Sequence, residues 1–443
     1  MMKKTIIGTI ILTVLSTAML FGAPIDDFKK SAKKGEAHIL RKMIEDGEIK
    51  PTDVDRDKNT PLHLAIGDPD SIKLLLEKKA PVNAKNKLNE TALHHAAFLG
   101  IKATVEILVK NKADLNIVGK NGTPVQYAFK NGKDDIGKYL LSKKANPNIV
   151  GPDGMTLLQW AIVNDKTDLI QTLLKYKADP NIETKNGTAL MLAIRKNDIK
   201  LVELLVKAKA DVNKGNGEIL SPLYYCVRSK KIKIAEILIK AKANINILNG
   251  GGSTLVYLAS GEGDLEMVEF LIKNKADIKI ANEQGVTPLF RAIYNNHTKV
   301  AVLLIDKGAK VKLKDDKGRT ALHLAAENDD VVLAESLLKK KAKIDELNNE
   351  GKTPLWVAIL KGKTKVAVLL INKGADPDQK NKNGDTVLIY TIYKGYTDIA
   401  KSLIKNGADL NYKHAKGKYT ALMVAKQKEN KEIEELLVKK GAK

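Results

Sequence analysis

Residues 287–309 read TPLFRAIYNNHTKVAVLLIDKGA, and this stretch decides the fold because its pattern recurs along most of the chain. A threonine, once a serine, opens the phrase twelve times at intervals of 31 to 34 residues. The opening residues are Thr60, Thr91, Thr123, Thr156, Thr188, Ser221, Thr254, Thr287, Thr320, Thr353, Thr386 and Thr420. Such self-similarity predicts a stack of identical supersecondary units, since one unit cannot bury its own apolar face. We therefore expect the function on a surface rather than in a pocket.

Each unit is predicted to contain two helices and an extended finger. Thr287 is suited to cap the free N–H groups of a helix, and Pro288 to occupy the first helical position. Apolar residues at helical spacing follow, and after a polar turn a second apolar run extends from Val300 to Ile305. Gly308 supports the left-handed conformation that ends a helix. The next residues are rich in Asn, Asp and Gly, which is typical of turns.

Three copies of the phrase carry a histidine in the fourth position, at residues 60–65, 91–96 and 320–325, and Gly-Ala-Asp follows the second helix at 374–376 and 407–409. The unit resembles the ankyrin repeat, whose consensus phrase is Thr-Pro-Leu-His-x-Ala. The resemblance covers roughly residue 25 to the end. It implies an all-α solenoid of about thirteen stacked helix–turn–helix units with short β-hairpin fingers. It also implies a non-enzymatic scaffold that binds other macromolecules through its concave face.

The ends of the chain depart from the repeated phrase. Lys3 and Lys4 precede an apolar stretch over 6–21, the charge order of a secretory leader. We predict a signal peptide at residues 1–23, an N-terminal capping repeat at 24–55, and an array of twelve repeats at 56–443 whose last member is the C-terminal cap. The leader fits a bacterial protein exported to the periplasm or secreted. The cleavage site is weak, with an alternative cut at 16–18, so an uncleaved leader that anchors the protein in a membrane remains the alternative.

The chain is strongly basic, with 75 Lys+Arg against 52 Asp+Glu and a net charge of +23. Such a surplus favours acidic partners: an anionic protein face, a polyanion or a negative membrane surface. A lysine-biased codon usage explains the same surplus without any partner. We expect the partner to be another protein with an acidic surface, or alternatively an anionic polymer, and the chain to be a monomer.

Lysine replaces the glycine that closes the second helix in eight units. These residues are Lys79, Lys112, Lys144, Lys177, Lys209, Lys242, Lys275 and Lys341, whereas Gly308, Gly374, Gly407 and Gly441 keep the glycine. A non-glycine residue in the left-handed region costs roughly 1 kcal/mol. A cation at a helix C-terminus regains about 0.3–1 kcal/mol from the helix dipole. Folding alone explains the lysines, yet together they predict a basic ladder that an anionic polymer or membrane surface can follow.

By analogy with the family, contacts come from the fingers and from two exposed positions seven and eight residues after the threonine. The candidates are Phe98, Leu99, Lys130, Val163, Arg195, Lys196, Arg228, Tyr294, Leu360 and Tyr393. Large apolar side chains at water-facing positions are typical of binding surfaces. We expect a groove with basic and aromatic contacts, strongest from Lys130 to Tyr294. The alternative is a set of scattered exposed hydrophobic residues without a partner.

The position of the phrase's histidine varies between units. His63, His94 and His323 keep the residue, which the family uses to bridge adjacent units. The other units carry Gln126, Gln159, Met191, Tyr224, Tyr257, Phe290, Trp356, Ile389 and Met423. We expect larger apolar groups to replace the hydrogen bonds with packing. Trp160, Tyr225 and Tyr390, one residue further on, are also interpreted as core.

The sequence offers little for catalysis. It contains no His-Glu-x-x-His, Cys-x-x-Cys, phosphate loop or nucleophile elbow. Cys226 is the single cysteine, which excludes an intramolecular disulfide framework, and its place in the helix predicts a buried, inert thiol. We predict no enzyme activity, no cofactor, no metal and no small-molecule substrate.

Overall fold

The computed structural model describes residues 24–215, 221–414, 416 and 418–443. They form two compact units, within Met1–Gly217 and Glu218–Lys443. The described residues contain twenty-six helices, which follow one another as thirteen antiparallel pairs. We number these pairs repeats 1 to 13, six in the first unit and seven in the second. The predicted leader, residues 1–23, lies outside the described residues.

In the first unit, each repeat consists of a first helix of 4 to 11 residues and a second helix of nine residues. The first helices of repeats 1 to 6 are Pro24–Lys34, Pro61–Leu64, Ala92–Leu99, Pro124–Lys130, Leu157–Val163 and Ala189–Lys196. The second helices are Ala37–Glu45, Pro69–Glu77, Lys102–Lys110, Asp134–Ser142, Thr167–Lys175 and Ile199–Lys207.

The second unit has the same construction. The first helices of repeats 7 to 13 are Pro222–Arg228, Leu255–Glu262, Pro288–Tyr294, Ala321–Asn328, Pro354–Leu360, Val387–Lys394 and Ala421–Gln427. The second helices are Ile232–Lys240, Leu265–Lys273, Thr298–Asp306, Val331–Lys339, Thr364–Asn372, Thr397–Lys405 and Lys431–Lys439. The all-α repeat architecture predicted from the period is confirmed.

The opening threonine or serine is the N-cap of every first helix from repeat 2 onward. Thr287 has extended backbone angles, and its side chain accepts the backbone N–H of Phe290. Pro288 follows at the first helical position, as the sequence predicted, and the same holds at Pro61, Pro124, Pro222 and Pro354. The caps stabilise helices that are too short to persist alone.

The core of each unit lies between the two layers of helices. In repeat 9, Leu289, Ala292, Val300 and Leu304 expose at most 1% of their surface. Alanine at the centre of the first helix lets the next repeat's first helix approach closely. Cys226 occupies the equivalent site in repeat 7 and is fully buried, and burial raises the pKa of its thiol to about 12.

The lysine that replaces the closing glycine adopts the left-handed conformation in all eight predicted places. Its φ lies between 61° and 70° in Lys79, Lys112, Lys144, Lys177, Lys209, Lys242, Lys275 and Lys341. The eight side chains are exposed, and in the part of the chain that the structure describes none of them joins an ion pair. They point to solvent at the ends of the second helices.

The fingers are tight turns rather than continuous hairpins. Across the described residues, they contain four isolated antiparallel bridges: Gly119 with Gly122, Thr184 with Gly187, Lys314 with Thr320, and Lys380 with Thr386. Side-chain hydrogen bonds also join neighbouring repeats, and in each of them the donor and the acceptor residue are 30 or 31 positions apart in the sequence. Asn148 Oδ1, for example, accepts the backbone N–H of Asp179 at 2.8 Å. Asn83, Asn116 and Asn181 do the same in the first unit, and Asn246 does so in the second.

Candidate functional site

The bridging role of the histidine is confirmed in the three repeats that keep it. His94 Nδ1 accepts the backbone N–H of Thr91 at 3.0 Å, and His94 Nε2 donates to the carbonyl of Ile117 in the next finger at 3.0 Å. His63 and His323 make the equivalent bonds to Glu90 and Lys352. Burial lowers the pKa of His63 and of His94 to about 4, and it also lowers the pKa of His323.

Two of the substitutes keep the bridge, so the expectation that packing replaces it was wrong for them. Gln126 Oε1 accepts the N–H of Thr123 at 2.9 Å, and its Nε2 donates to Ile149 at 2.9 Å. Gln159 bonds Thr156 and Ile182 in the same way. A glutamine amide has an acceptor and a donor at nearly the spacing of the two imidazole nitrogens, which explains the equivalence.

In the first unit, the candidate residues of repeats 3 and 4 surround a depression. Phe98 is 47% exposed and Leu99 54% exposed, as their helix register predicted. The Phe98 ring lies edge-on to the ring of Tyr127, with 6.5 Å between the centroids. Clefts of about 340 and 480 Å³ adjoin this pair, and both are lined by Phe98, Asn121 and Tyr127. The exposed apolar side chains therefore line concave clefts rather than a flat surface.

A buried carboxylate forms the floor of this depression. Glu90 is 7% exposed and accepts the hydroxyl of Tyr127. Its other oxygen lies 3.0 Å from Nε2 of His95, whose ring points away from that of His94. Burial and the bond to Glu90 raise the pKa of Tyr127 above its ordinary value. Sequence analysis missed this cluster, because its members come from different segments of the chain.

The basic candidates of the first unit are largely paired within the protein. Lys130 lies 2.8 Å from Asp153 of the next finger, and its ammonium group lies 6.0 Å from the centre of the Trp160 ring. Lys196 forms an ion pair with Asp165 at 2.6 Å. Arg195 is exposed and donates to the carbonyl of Asn186 at 2.9 Å. Arg195 thus remains the most accessible cation of the three.

Val163 and Arg228 are exposed side chains of separate units. Val163, at the end of the first helix of repeat 5, is 45% exposed. Arg228 ends the first helix of repeat 7, and its guanidinium forms no ion pair with any described carboxylate. Both occupy the position that the helix register assigned to them.

In the second unit, Tyr294 belongs to a charged cluster in repeats 9 and 10. Its hydroxyl donates to Asp315 Oδ2 at 3.0 Å, and the guanidinium of Arg319 lies 6.0 Å from the ring centre. Arg319 also forms ion pairs with Asp315 at 2.9 Å and Glu327 at 2.8 Å. Burial and the bond to Asp315 raise the pKa of Tyr294 to about 12. Tyr294 is 36% exposed and lies at the edge of the cluster.

A cleft in the second unit lies in repeats 12 and 13. We call it the aromatic cleft; its volume is about 580 Å³. It is lined by Tyr390, Tyr393, Lys394, Tyr419, Met423 and Gln427, together with polar finger residues. Tyr393 was a sequence candidate, and it is 55% exposed. A depression of about 590 Å³, lined by Trp356 and the 38% exposed candidate Leu360, shares Asn381 and Asn383 with the cleft.

Internal hydrogen bonds hold the polar wall of the aromatic cleft. Asp385 accepts the Tyr419 hydroxyl at 2.6 Å and the side-chain amide of Asn381 at 3.0 Å. These bonds satisfy both oxygens of the carboxylate. The bond to Asp385, aided by burial, raises the pKa of Tyr419 to about 12. The His414 ring stacks on Tyr419 with 4.7 Å between the centroids, which fixes the tyrosine in place.

The interpretation of Trp160, Tyr225 and Tyr390 as core residues was wrong in part. All three are half-buried, and a lysine ammonium lies 5.6 to 6.0 Å from each ring centre. A ring at this position is covered on one side by its own repeat. Whether its other side is buried depends on the position of the neighbouring finger. The sequence of a single repeat does not reveal that position.

Within the described part of the chain, no three His, Cys, Asp or Glu side chains are grouped closely enough to hold a metal ion. The helices described here are also too short, or too polar, to cross a membrane.

Comparison with known proteins identifies the repeats. The family model described as "Ankyrin repeats (3 copies)" matches seven overlapping segments that together span residues 67–443. Human ankyrin repeat domain-containing protein 37 is 32% identical over 117 residues, which are 26% of this chain and 74% of that protein. The rat protein phosphatase 1 regulatory subunit 12A is 34% identical over 125 residues, 26% of this chain and 12% of that protein.

A human channel protein is similar over a short segment. The transient receptor potential cation channel subfamily A member 1 is 34% identical over 99 residues, which are 21% of this chain and 9% of the channel. The similarity to the channel and to the phosphatase subunit therefore concerns a small part of each.

Proposed function

The chain belongs to the ankyrin-repeat family, and from that premise we propose that it is an exported scaffold that binds an acidic protein through its first helices and fingers. Ankyrin-repeat proteins are in general non-enzymatic scaffolds for protein–protein interaction, and this chain is a protein-binding scaffold of that class. We further propose that it catalyses no reaction, binds no small-molecule substrate and works as a monomer.

The observation that carries the proposal is the exposure of large apolar side chains beside clefts. Phe98 and Leu99 in the first unit, and Leu360 and Tyr393 in the second, are 38% to 55% exposed. Aromatic and large aliphatic side chains anchor protein interfaces when they are surrounded by polar groups. The net charge of +23 favours a partner with an acidic face.

Site-specific photo-crosslinking in the native cell tests this function. A photo-reactive amino acid at position 98 is expected to capture a protein, identified by mass spectrometry. The double variant Phe98→Asp, Leu99→Asp should lose that partner by co-purification while the circular dichroism stays unchanged. Val332→Asp is the matched control, because Val332 is 60% exposed but lies on a second helix. Equal capture by the double variant would reject the surface.

The acidic character of the partner has a separate test. Arg195→Glu and Arg228→Glu, made singly and together, are expected to weaken co-purification, and the effect should shrink at high salt. Lys405→Glu on the second helix of repeat 12 is the charge control. Capture that is indifferent to the arginine reversals excludes an acidic contact at those positions.

Export is proposed from the sequence of residues 1–23. Fractionation of the full chain should find it in the periplasm or the medium, and removal of residues 1–23 should retain it in the cytoplasm. The intact mass of the exported protein distinguishes cleavage after Ala23 from a retained leader that anchors the protein in the membrane.

One observation favours a second function, the binding of an anionic polymer or membrane surface. The eight ladder lysines are exposed and, among the described residues, have no ion-pair partner. Binding to a single-stranded oligonucleotide would fall with salt, at a logarithmic slope of about 0.7 for each phosphate neutralised. Replacing Lys112, Lys144 and Lys177 by glutamine should reduce that slope. A flat salt profile in the unaltered protein would reject the ladder as a polyanion site.

A further inference from the structure

We propose that the aromatic cleft of repeats 12 and 13 binds a linear peptide segment with one large apolar side chain flanked by carboxylates. The inference rests on the proposed protein-binding function and specifies where on the second unit, and by which chemistry, one partner is held. The segment's apolar side chain would enter the cleft, and its carboxylates would meet the lysines at the rim.

The floor of the cleft suits an apolar anchor. Tyr393 is 55% exposed, and Met423 is also 55% exposed. Both adjoin Tyr390, Ile389 and Val424 along the wall. Methionine and tyrosine together give an adaptable, largely apolar surface that gains free energy when an inserted side chain displaces water.

The exposure of Met423 has a structural origin. In repeats 9, 11 and 12 of the same unit the equivalent residues, Phe290, Trp356 and Ile389, are at most 3% exposed. No described helix follows repeat 13 to cover Met423. An apolar side chain that is buried elsewhere in the array is thus left open at the cleft.

The rim of the cleft has uncompensated positive charge. The ammonium groups of Lys394 and Lys428 lie over the Tyr393 ring, at 5.8 and 4.1 Å from its centre. Lys380 lies over Tyr412 at 4.1 Å. None of these lysines forms an ion pair with a described carboxylate. Asp385 also lines the cleft, but its two oxygens accept bonds from Tyr419 and Asn381 and it forms no ion pair with these lysines.

A buried donor beside the cleft also lacks a partner. Trp356 is 3% exposed, and its Nε1 has no hydrogen-bond acceptor among the described residues. The indole lies 5.5 Å from the Tyr390 ring, centre to centre, and lines the adjoining depression. A buried N–H without an acceptor is costly, so the described residues leave one polar group beside the cleft unsatisfied.

Charge complementarity decides the class of occupant. Lysines over aromatic rings leave the ring faces shielded, which disfavours a stacked sugar or base and favours carboxylates at the rim. The amide side chains of Asn383 and Gln427 can bond the backbone of an extended segment. Apolar anchor, amide wall and basic rim together match an acidic peptide.

Titration with synthetic peptides tests the inference on the full chain. The probe is Asp-Glu-Ala-Phe-Glu-Asp with blocked ends, and the comparison peptides are Asn-Gln-Ala-Phe-Gln-Asn and Asp-Glu-Ala-Ala-Glu-Asp. Trp160→Phe leaves Trp356 as the single tryptophan, so its fluorescence reports binding near the cleft. We expect saturable binding of the probe and at least about tenfold weaker binding of both comparison peptides.

Variants locate the binding. Lys394→Glu and Tyr393→Ala should each weaken the probe about tenfold or more, whereas Lys405→Glu, on the other helix of the repeat, should not. Both cleft residues are exposed, so the circular dichroism should remain unchanged. Absence of binding, equal binding of the neutral peptide, or indifference to Lys394→Glu would overturn the inference. A single-stranded oligonucleotide provides a further test. If it displaces the probe and binds the Tyr393→Ala variant as tightly as the unaltered protein, the inference is also overturned.

The two proposals fail separately. If photo-crosslinking from position 98 captures a protein while the peptides do not bind, the scaffold function stands and the cleft assignment falls. If the peptides bind but position 98 captures nothing, the cleft assignment stands and the first-unit surface is rejected.

Discussion

At the scale of single residues, the bridging histidines hold two backbone groups in a way that requires the neutral ring. The N–H of Thr91 points at His94 Nδ1, so that nitrogen must be an acceptor, and Nε2 carries the proton that reaches Ile117. A second proton on Nδ1 would face another donor inside the protein. Burial opposes the charged form as well, which is the main reason for the lowered pKa.

Acidification is therefore expected to destabilise the first unit through His63 and His94. An unfolded histidine has a pKa near 6.5, and the folded values are about 4. Between these values the unfolded chain binds more protons, so the free energy of unfolding decreases as pH falls from about 6.5 to about 4. Above about pH 6.5 the contribution of the neutral histidines to the free energy of unfolding is fully retained. The loss is roughly 3 kcal/mol for each residue.

The variant His94→Gln should remove its share of this pH dependence, because Gln126 shows that glutamine makes the same bridge. Urea denaturation followed by circular dichroism from pH 7 to pH 4.5 measures the effect. His38→Gln, at an exposed histidine, is the control and should behave like the unaltered protein. An identical pH slope in His94→Gln and the unaltered chain would contradict the prediction.

The left-handed lysines allow a second prediction at this scale. Replacing Lys112, at φ 63°, by glycine relieves backbone strain but removes a cation from the helix end and loosens the unfolded chain. These effects nearly cancel, so we expect a change below about 0.5 kcal/mol. Lys112→Val, with a β-branched side chain in the same conformation, should cost about 1–2 kcal/mol. Urea denaturation measures the free energy of unfolding of both variants. A large increase in Lys112→Gly would show that backbone strain at Lys112 outweighs the other two effects.

At the scale of elements, the loops are joined by a ladder of side-chain acceptors. Asn148 Oδ1 holds the N–H of Asp179, and aspartate takes the same role at Asp378, which accepts from Asp409 at 2.7 Å. The acceptor oxygen, and not the amide NH₂, is what the two residue types share. These side-chain bonds add to the bonds of the bridging His and Gln residues and to backbone bonds such as that from Lys120 N–H to the Leu88 carbonyl.

Removing one acceptor should loosen one junction. Asn148→Ala is expected to destabilise the first unit by about 1 kcal/mol, whereas Asn148→Asp keeps the acceptor and should lose less than half of that. Amide hydrogen exchange of the peptide that contains Asp179 measures the local effect. If alanine and aspartate variants exchange alike, the side-chain bond contributes nothing to the junction.

The sequence predicted the elements far better than the contacts between them. The threonine phrase marks every first helix from repeat 2 onward, because capping and apolar spacing are local properties of the chain. The exposure of Phe98 and Tyr393 also followed from helix register. The pairing of Lys130 with Asp153 did not, since the partner lies 23 residues away in another finger. The aromatic cleft was missed because helix register does not reveal whether Met423 is covered: Ile389, at the same position of the phrase, is 3% exposed, whereas Met423 is 55% exposed.

At the scale of the whole molecule, stability is distributed along the order of repeats. Within each unit, an interior repeat has a described neighbour on either side, whereas repeats 1 and 13 have a described neighbour on one side. In such an array the unfolding of one repeat removes support from its neighbours, and stability is a sum of repeat and interface contributions. A single melting temperature does not describe such a protein if end repeats open separately.

The same cavity is therefore expected to have different consequences at the end and in the interior of the array. Leu437 in repeat 13 and Leu173 in repeat 5 are both fully buried leucines of second helices. Either change to alanine costs about 2–5 kcal/mol locally. Leu437→Ala should raise amide hydrogen exchange mainly in residues 420–443, because only one interface is lost there. Leu173→Ala should raise exchange in repeats 4 and 6 as well as in repeat 5, since both neighbours lose support. Exchange confined to repeat 5 in that variant would mean that the repeats are energetically independent, and the additive stack would have to be abandoned.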